Sequence, residues 1–248
     1  MPRASRYFLP GHVWHITHRC HKKEFLLKFA RDRQAWVGWL FEARKRYGLS
    51  VLNYIVTSNH IHLLVRDRGR GEIAKSMQLI AGRVAQEFNQ RKGRKGAFWE
   101  DRYHATAIAM DHHLARCLTY IDMNMVRAGV VKDPTGWQEC GLVQLMEERQ
   151  RYTIIDIAAL GELLGIADRE KMLLARLEWI QAAIAKEKLA REAIWSETLA
   201  VGSLDFAREI KTTLGHKGKG RKVQEGLQGC VLREAEADYG ISPLKNEL

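Results

Sequence analysis

His60-Ile61-His62 sets two imidazoles two residues apart. On a strand such residues point to one face, while the apolar residue between them points to the other. Two neighbouring imidazoles are half of a divalent-metal site. Further along, Tyr120, Asn124 and Arg127 fall at i, i+4 and i+7, so on a helix they share a face. Leu114, Leu118, Ile121 and Met125 supply an apolar stripe with which that helix can pack on a sheet. Each motif alone is weak, because a solitary His-x-His is more often incidental and a helical tyrosine more often packing. If that helix lies over the histidine strand, Asn124 can complete a His-His-Asn set, with Tyr120 beside it as a nucleophile. A neutral ligand set leaves a bound cation its full charge, which suits its use as a Lewis acid.

The surrounding pattern says what must position these groups. Residues 12–19 predict a first strand and residues 31–47 an amphipathic helix ending at Gly48. Residues 50–56 and 60–66 are β-rich runs joined by Thr57-Ser58-Asn59, a hairpin signal. Ile73, Met77, Ile80, Val84 and Phe88 make a helical stripe over 71–90, and a last strand is expected within 97–110. Asp111 can cap a closing helix that runs to Ala128 and stops at Gly129. The order β-α-β-β-α-β with a closing helix predicts an α+β, ferredoxin-like antiparallel sheet. Beyond about 150 the pattern turns helical, over 154–164, 168–194 and 203–214. The expected domains are therefore 1–140 and a helical accessory region, 150–248, with a basic flexible linker at 215–222.

Composition bounds the partners. The chain has 248 residues, 40 Lys+Arg, 29 Asp+Glu and a formal net charge of +11. Residues 1–100 carry 20 basic and 7 acidic side chains, whereas residues 151–248 carry 15 of each, so the excess belongs to the N-terminal part. Such asymmetry is the footprint of a polyanion site, most simply nucleic acid. Single strands expose phosphates and base faces together. Arg91, Lys92, Arg94 and Lys95 beside Phe98 and Trp99, and Arg3 and Arg6 beside Tyr7 and Phe8, are the candidate contacts. No apolar run approaches the ~18 residues of a membrane helix, and no secretory signal is evident. The four cysteines are widely spaced and read as reduced thiols of a cytoplasmic protein.

Ser58-Asn59-His60-Ile61-His62-Leu63-Leu64-Val65 resembles the histidine–hydrophobic–histidine (HUH) strand of the single-tyrosine transposases. Tyr120-Ile-Asp-Met-Asn124-Met-Val-Arg127-Ala-Gly129 is similar to the tyrosine helix of their REP-associated branch, with Met125 where that branch usually has Pro. Leu9 to Arg19 resembles the family's opening strand, and Ile194 to Gly202 a segment in the tail of its longer members. The resemblance implies metal-dependent cleavage and rejoining of single-stranded DNA at hairpin or palindromic-repeat sites. In that scheme Tyr120 forms a 5′-phosphotyrosine; His60, His62 and Asn124 hold Mg²⁺ or Mn²⁺; Arg127 contacts phosphate. It further implies a bacterial, nucleoid-associated monomer or homodimer. The alternatives are a domesticated repeat-DNA-binding regulator without strand transfer, and a replication initiator or relaxase. The single tyrosine and the Asn-x-Val-Arg-Ala-Gly run argue against the last.

Overall fold

The structure is a computed structural model that describes residues 9–147, 152–186, 192–226 and 229–234. Its first half runs β1 (Val13–Arg19), α1 (Ala30–Tyr47), β2 (Ser50–Val56), β3 (His60–Arg66), α2 (Glu72–Lys92) and β4 (His104–Ile108). The strands lie in the order β2-β3-β1-β4, each antiparallel to its neighbour, which is the expected ferredoxin-like sheet. Gly48 takes φ 70° to end α1, a left-handed turn that returns the chain directly into β2.

Helices α1 and α2 cover one face through Trp36, Leu40, Ala43, Ile73, Met77 and Ile80, all buried. His18 of β1 belongs to that face: its ring stacks on Trp99, whose indole N–H donates to the carbonyl of Ala81 in α2. The opposite face of the central strands carries His60, His62, His15, Thr17, His104 and Thr106, because Thr17 pairs with His62 and His104, and His15 with Thr106. On this side pack α3 (His112–Asp122) and α4 (Asn124–Arg127).

The closing helix departs from the expected single element. It breaks at Met123 (φ −77°, ψ 1°) and resumes as the short α4, which ends at Gly129 with φ 68°. The break follows Asp122, whose buried carboxylate is gripped by Arg176 and by the amide of Asn53.

The chain continues as α5 (Gly141–Met146), α6 (Ile157–Leu164), α7 (Arg169–Ala185), α8 (Ile194–Glu197), β5 (Ala200–Gly202), α9 (Leu204–Thr213), β6 (Arg221–Gly226) and β7 (Gly229–Glu234). Two expectations are corrected here. The region after 150 is not wholly helical, since β5 pairs parallel with β4 and extends the sheet to β2-β3-β1-β4-β5-β7-β6. The open edge of β4 is the cause: its Ala107 N–H bonds the Leu199 carbonyl at 2.9 Å, and Ala109 N–H that of Val201 at 3.0 Å. Nor is 215–222 a flexible linker. It is a 3-10 turn, Gly215–Gly218, followed by the start of β6. Its Lys and Arg residues, which read as linker composition, suit a strand at the sheet edge, where charge discourages further pairing. Among the described residues no helix is long and apolar enough to cross a membrane.

Candidate active site

The helix-side face of β3 forms the floor of a cleft of about 490 Å³ that His60, His62, Tyr120, Asn124 and Arg127 all line. Ile61 between the histidines is fully buried on the other side, as strand alternation requires.

The histidines are held by their Nδ1 atoms. His60 Nδ1 lies 2.7 Å from Asn59 Oδ1, which only accepts, so the proton is on Nδ1 and the lone pair on Nε2. His62 reaches the same state through a longer relay. His15 Nδ1 donates to the Trp195 carbonyl at 2.8 Å, leaving His15 Nε2 as an acceptor, and His62 Nδ1 donates to it at 2.9 Å. Burial pushes His15 down to about 3 and holds His62 well below the ordinary histidine range, with His60 and His15 adding to the effect on His62. Both rings are therefore neutral at pH 7. Both strand histidines carry their lone pairs on Nε2, the tautomer of metal-ligating imidazoles whose other nitrogen is held by an acceptor.

Asn124 completes the set. Its amide nitrogen is 2.9 Å from His62 Nε2, and the same amide carries the oxygen that would serve a cation. The donor set of two imidazoles and one carboxamide suits a divalent ion. Tyr120 is buried, with its ring edge-on to His62 at a centroid distance of 5.7 Å. The Arg127 guanidinium covers that ring at 3.9 Å, and its Nη2 is buried with no hydrogen-bond partner. A buried, unsatisfied cationic donor beside a phenol is costly unless an anion completes it.

Several contributors were not singled out by motif. His15 links two distant segments, and His104 Nε2 bonds the Thr198 carbonyl at 2.8 Å. Trp195, fully buried, packs against Tyr120 at 5.8 Å, while Ser196 and Glu197 line the cleft. The Ile194–Gly202 segment thus belongs to the site itself. The alternation His15-x-Thr17 on β1 carried the only signal for His15, and its meaning depends on strand register.

The remaining candidates lie apart. Arg91, Lys92, Arg94 and Lys95 are not among the residues lining the cleft. They sit at the end of α2, where Arg91 pairs with Asp32 and Arg94 with Glu24. Phe98, expected as a base platform, is buried. Arg3 and Arg6 lie outside the described residues. Asp111, His112 and His113 bring ligating atoms within 4.8 Å of one another at the start of α3, but none of them lines the cleft. Asp111 Oδ1 is engaged there in capping the helix through the His113 N–H at 2.8 Å.

Residues 10–124 match the IS200-like transposase family. A solved structure of a REP-associated tyrosine transposase bound to a REP hairpin superposes with a TM-score of 0.50 at 20% identity, over 62% of this chain and 90% of that one. A structure described as that of a transposase from Deinococcus radiodurans R1 gives 0.35 at 16% identity, over 48% and 95%. No curated protein matches the chain. The first of these supports the fold of the sheet and its helices, and the family match covers β1 through Asn124, the whole span between the opening strand and the third candidate ligand. The chain is thus similar to the IS200-like transposases over residues 10–124.

Proposed function

We propose that this protein cuts and rejoins single-stranded DNA at hairpin- or repeat-associated sites, with Tyr120 as the nucleophile. The observation that carries this reading is the meeting of Tyr120, Arg127, Asn124 and two Nε2-presenting histidines in one cleft. The family match supplies the class of chemistry, and the hairpin held by the structural neighbour is the kind of ligand we assign here.

His60, His62 and Asn124 would hold a divalent cation, Mg²⁺ or Mn²⁺, which supplies Lewis-acid polarisation of the phosphate when bound. The protein's own residues do the rest. Tyr120 Oη attacks phosphorus, a bond forms between them, and the bond from phosphorus to the 3′ oxygen breaks. The phenol proton passes to water in the cleft, and the departing 3′ oxygen takes one up. The 5′-phosphotyrosine conserves the bond energy, so that a 3′ hydroxyl can reverse the step and rejoin a strand. Arg127, over the phenol ring, stabilises charge developing on its oxygen and offers Nη2 to a phosphate oxygen.

Cleavage of a labelled hairpin oligonucleotide in Mg²⁺ or Mn²⁺ tests the reading. Wild type is expected to nick it, while His60→Ala and His62→Ala bind it but leave it intact. Cleavage by either variant at the wild-type rate would place the site elsewhere. Binding without cleavage by wild type would favour the repeat-binding regulator.

A further inference from the structure

The loop joining β1 to α1 is built in an unusual way. Lys22 and Lys23 both take left-handed backbone conformations, at φ 51° and 61°, where glycine is the default. Two large apolar side chains follow in solvent: Phe25 is 66% exposed and Phe29 58%. The loop is firmly tied down. His21 N–H bonds the Phe98 carbonyl at 2.8 Å, Leu27 N–H bonds the Ser58 carbonyl at 2.9 Å, and the Leu27 side chain is fully buried. The exposure of the two phenylalanines is therefore imposed by an anchored backbone. Anchored strain of this kind concentrates at functional sites.

The charge around them is of one sign. Residues 21–32 and 91–95 together hold eight basic and two acidic side chains. Both acids are already taken, Glu24 by Arg94 and Asp32 by Arg91. Among the described residues, Lys22, Lys23, Lys28 and Lys92 enter no ion pair. The Lys28 and Lys92 ammonium groups stand 5.9 and 5.6 Å from the Phe29 ring centre. Aromatic faces with cations beside them are how proteins hold single strands, the rings stacking on bases and the cations on phosphates. An apolar protein partner would leave these lysines uncompensated.

The loop is tied to a residue of the cleft through one side chain. Asn59 donates through Nδ2 to the Lys23 carbonyl at 3.1 Å and accepts at Oδ1 from His60 Nδ1 at 2.7 Å. One side chain thus joins the aromatic loop to the first strand histidine.

We propose that Phe25 and Phe29 are stacking platforms for unpaired bases of the DNA strand beside the cleft, with Lys22, Lys23, Lys28 and Lys92 on its phosphates. This rests on the DNA-processing reading above and adds a binding surface to it. It also gives the basic run at 91–95 an exposed aromatic neighbour, Phe29, 5.6 Å from the Lys92 ammonium, in place of the buried Phe98.

The test titrates the full chain with two fluorescent oligonucleotides, a blunt hairpin and the same hairpin with an unpaired flank carrying 2-aminopurine. Phe25→Ala combined with Phe29→Ala is expected to weaken the flanked hairpin by about tenfold or more and the blunt one by less than about twofold. Quenching of 2-aminopurine seen with wild type should be lost with it. Phe25→Tyr with Phe29→Tyr should keep both. If wild type binds and the alanine variant binds both DNAs equally well, the platform is wrong while the DNA-processing reading stands. If wild type binds neither DNA, both fall. A shift from dimer to monomer in sedimentation, without change in DNA affinity, would make the patch an interface between copies and overturn the proposal.

Discussion

His60, His62, Tyr120, Asn124 and Arg127 were legible because each spacing matches a structural period, two for a strand and three to four for a helix. His15 was not, since its value lies in the pairing of Thr17 with His62, which sets it diagonally beside His62. Its place predicts a distinct behaviour. His15→Phe removes the acceptor for His62 Nδ1–H, and Mn²⁺ affinity measured by calorimetry should fall by ~10–100-fold. His15→Gln, which keeps an acceptor, should lose less. Equal affinity in wild type and His15→Phe would show that the relay does not orient His62. The depressed values of His15 and His62 also fix a sign. The unfolded chain takes up protons below the ordinary 6.5, whereas folded His15 resists them down to about 3. In metal-free protein, stability should be full above pH 6.5 and fall as pH drops through that window. A melting temperature unchanged from pH 7 to 5 in chelator would contradict this.

At the scale of elements, the helix carrying Tyr120 is positioned by a contact that the pattern could not reveal. Asp122, between Tyr120 and Asn124, is locked by Arg176 of α7, with Nη2 2.6 Å from each carboxylate oxygen and both side chains buried. Asn53 of β2 donates to the same carboxylate at 2.9 Å. The closing helix was expected unbroken, because its apolar stripe continues through Met125. The break at Met123 falls directly after Asp122, whose side chain is held by these tertiary bonds. Removing Arg176 would leave a buried, uncompensated charge at a cost of about 3–5 kcal/mol. Arg176→Met should therefore lower the denaturation midpoint strongly and reduce cleavage. Adding Asp122→Asn should recover most of the stability, since Arg176 Nη1 has no partner and the ion pair is itself imperfectly satisfied. If the single and double variants were equally unstable, packing and not charge would explain the contact.

For the whole molecule, the first six elements of the sheet were readable from periodicity, turn residues and caps. The extension β5-β7-β6 was not, because Ala200–Gly202 is too short to signal a strand and acquires its role only at the edge of β4. The charge division between the two halves suggested an accessory region. The structure makes the later residues part of the site, through the Trp195 carbonyl on His15, Trp195 against Tyr120, and Arg176 on Asp122. A chain ending at residue 150 should consequently aggregate or melt non-cooperatively, and a soluble, cooperatively folding fragment would contradict that. DNA binding by the full chain should weaken linearly in log affinity against log salt, by counterion release from the basic N-terminal half.

On the function proposed here, Tyr120 joins DNA covalently. A hairpin oligonucleotide labelled on the 3′ side of the nick, incubated with protein and Mn²⁺ and then denatured, should leave label on the protein. Mass spectrometry of the digest should place the adduct on the peptide containing Tyr120, and Tyr120→Phe, which removes one oxygen, should bind the hairpin and give none. An adduct that persists in Tyr120→Phe, or one mapped to a peptide without Tyr120, would overturn that assignment.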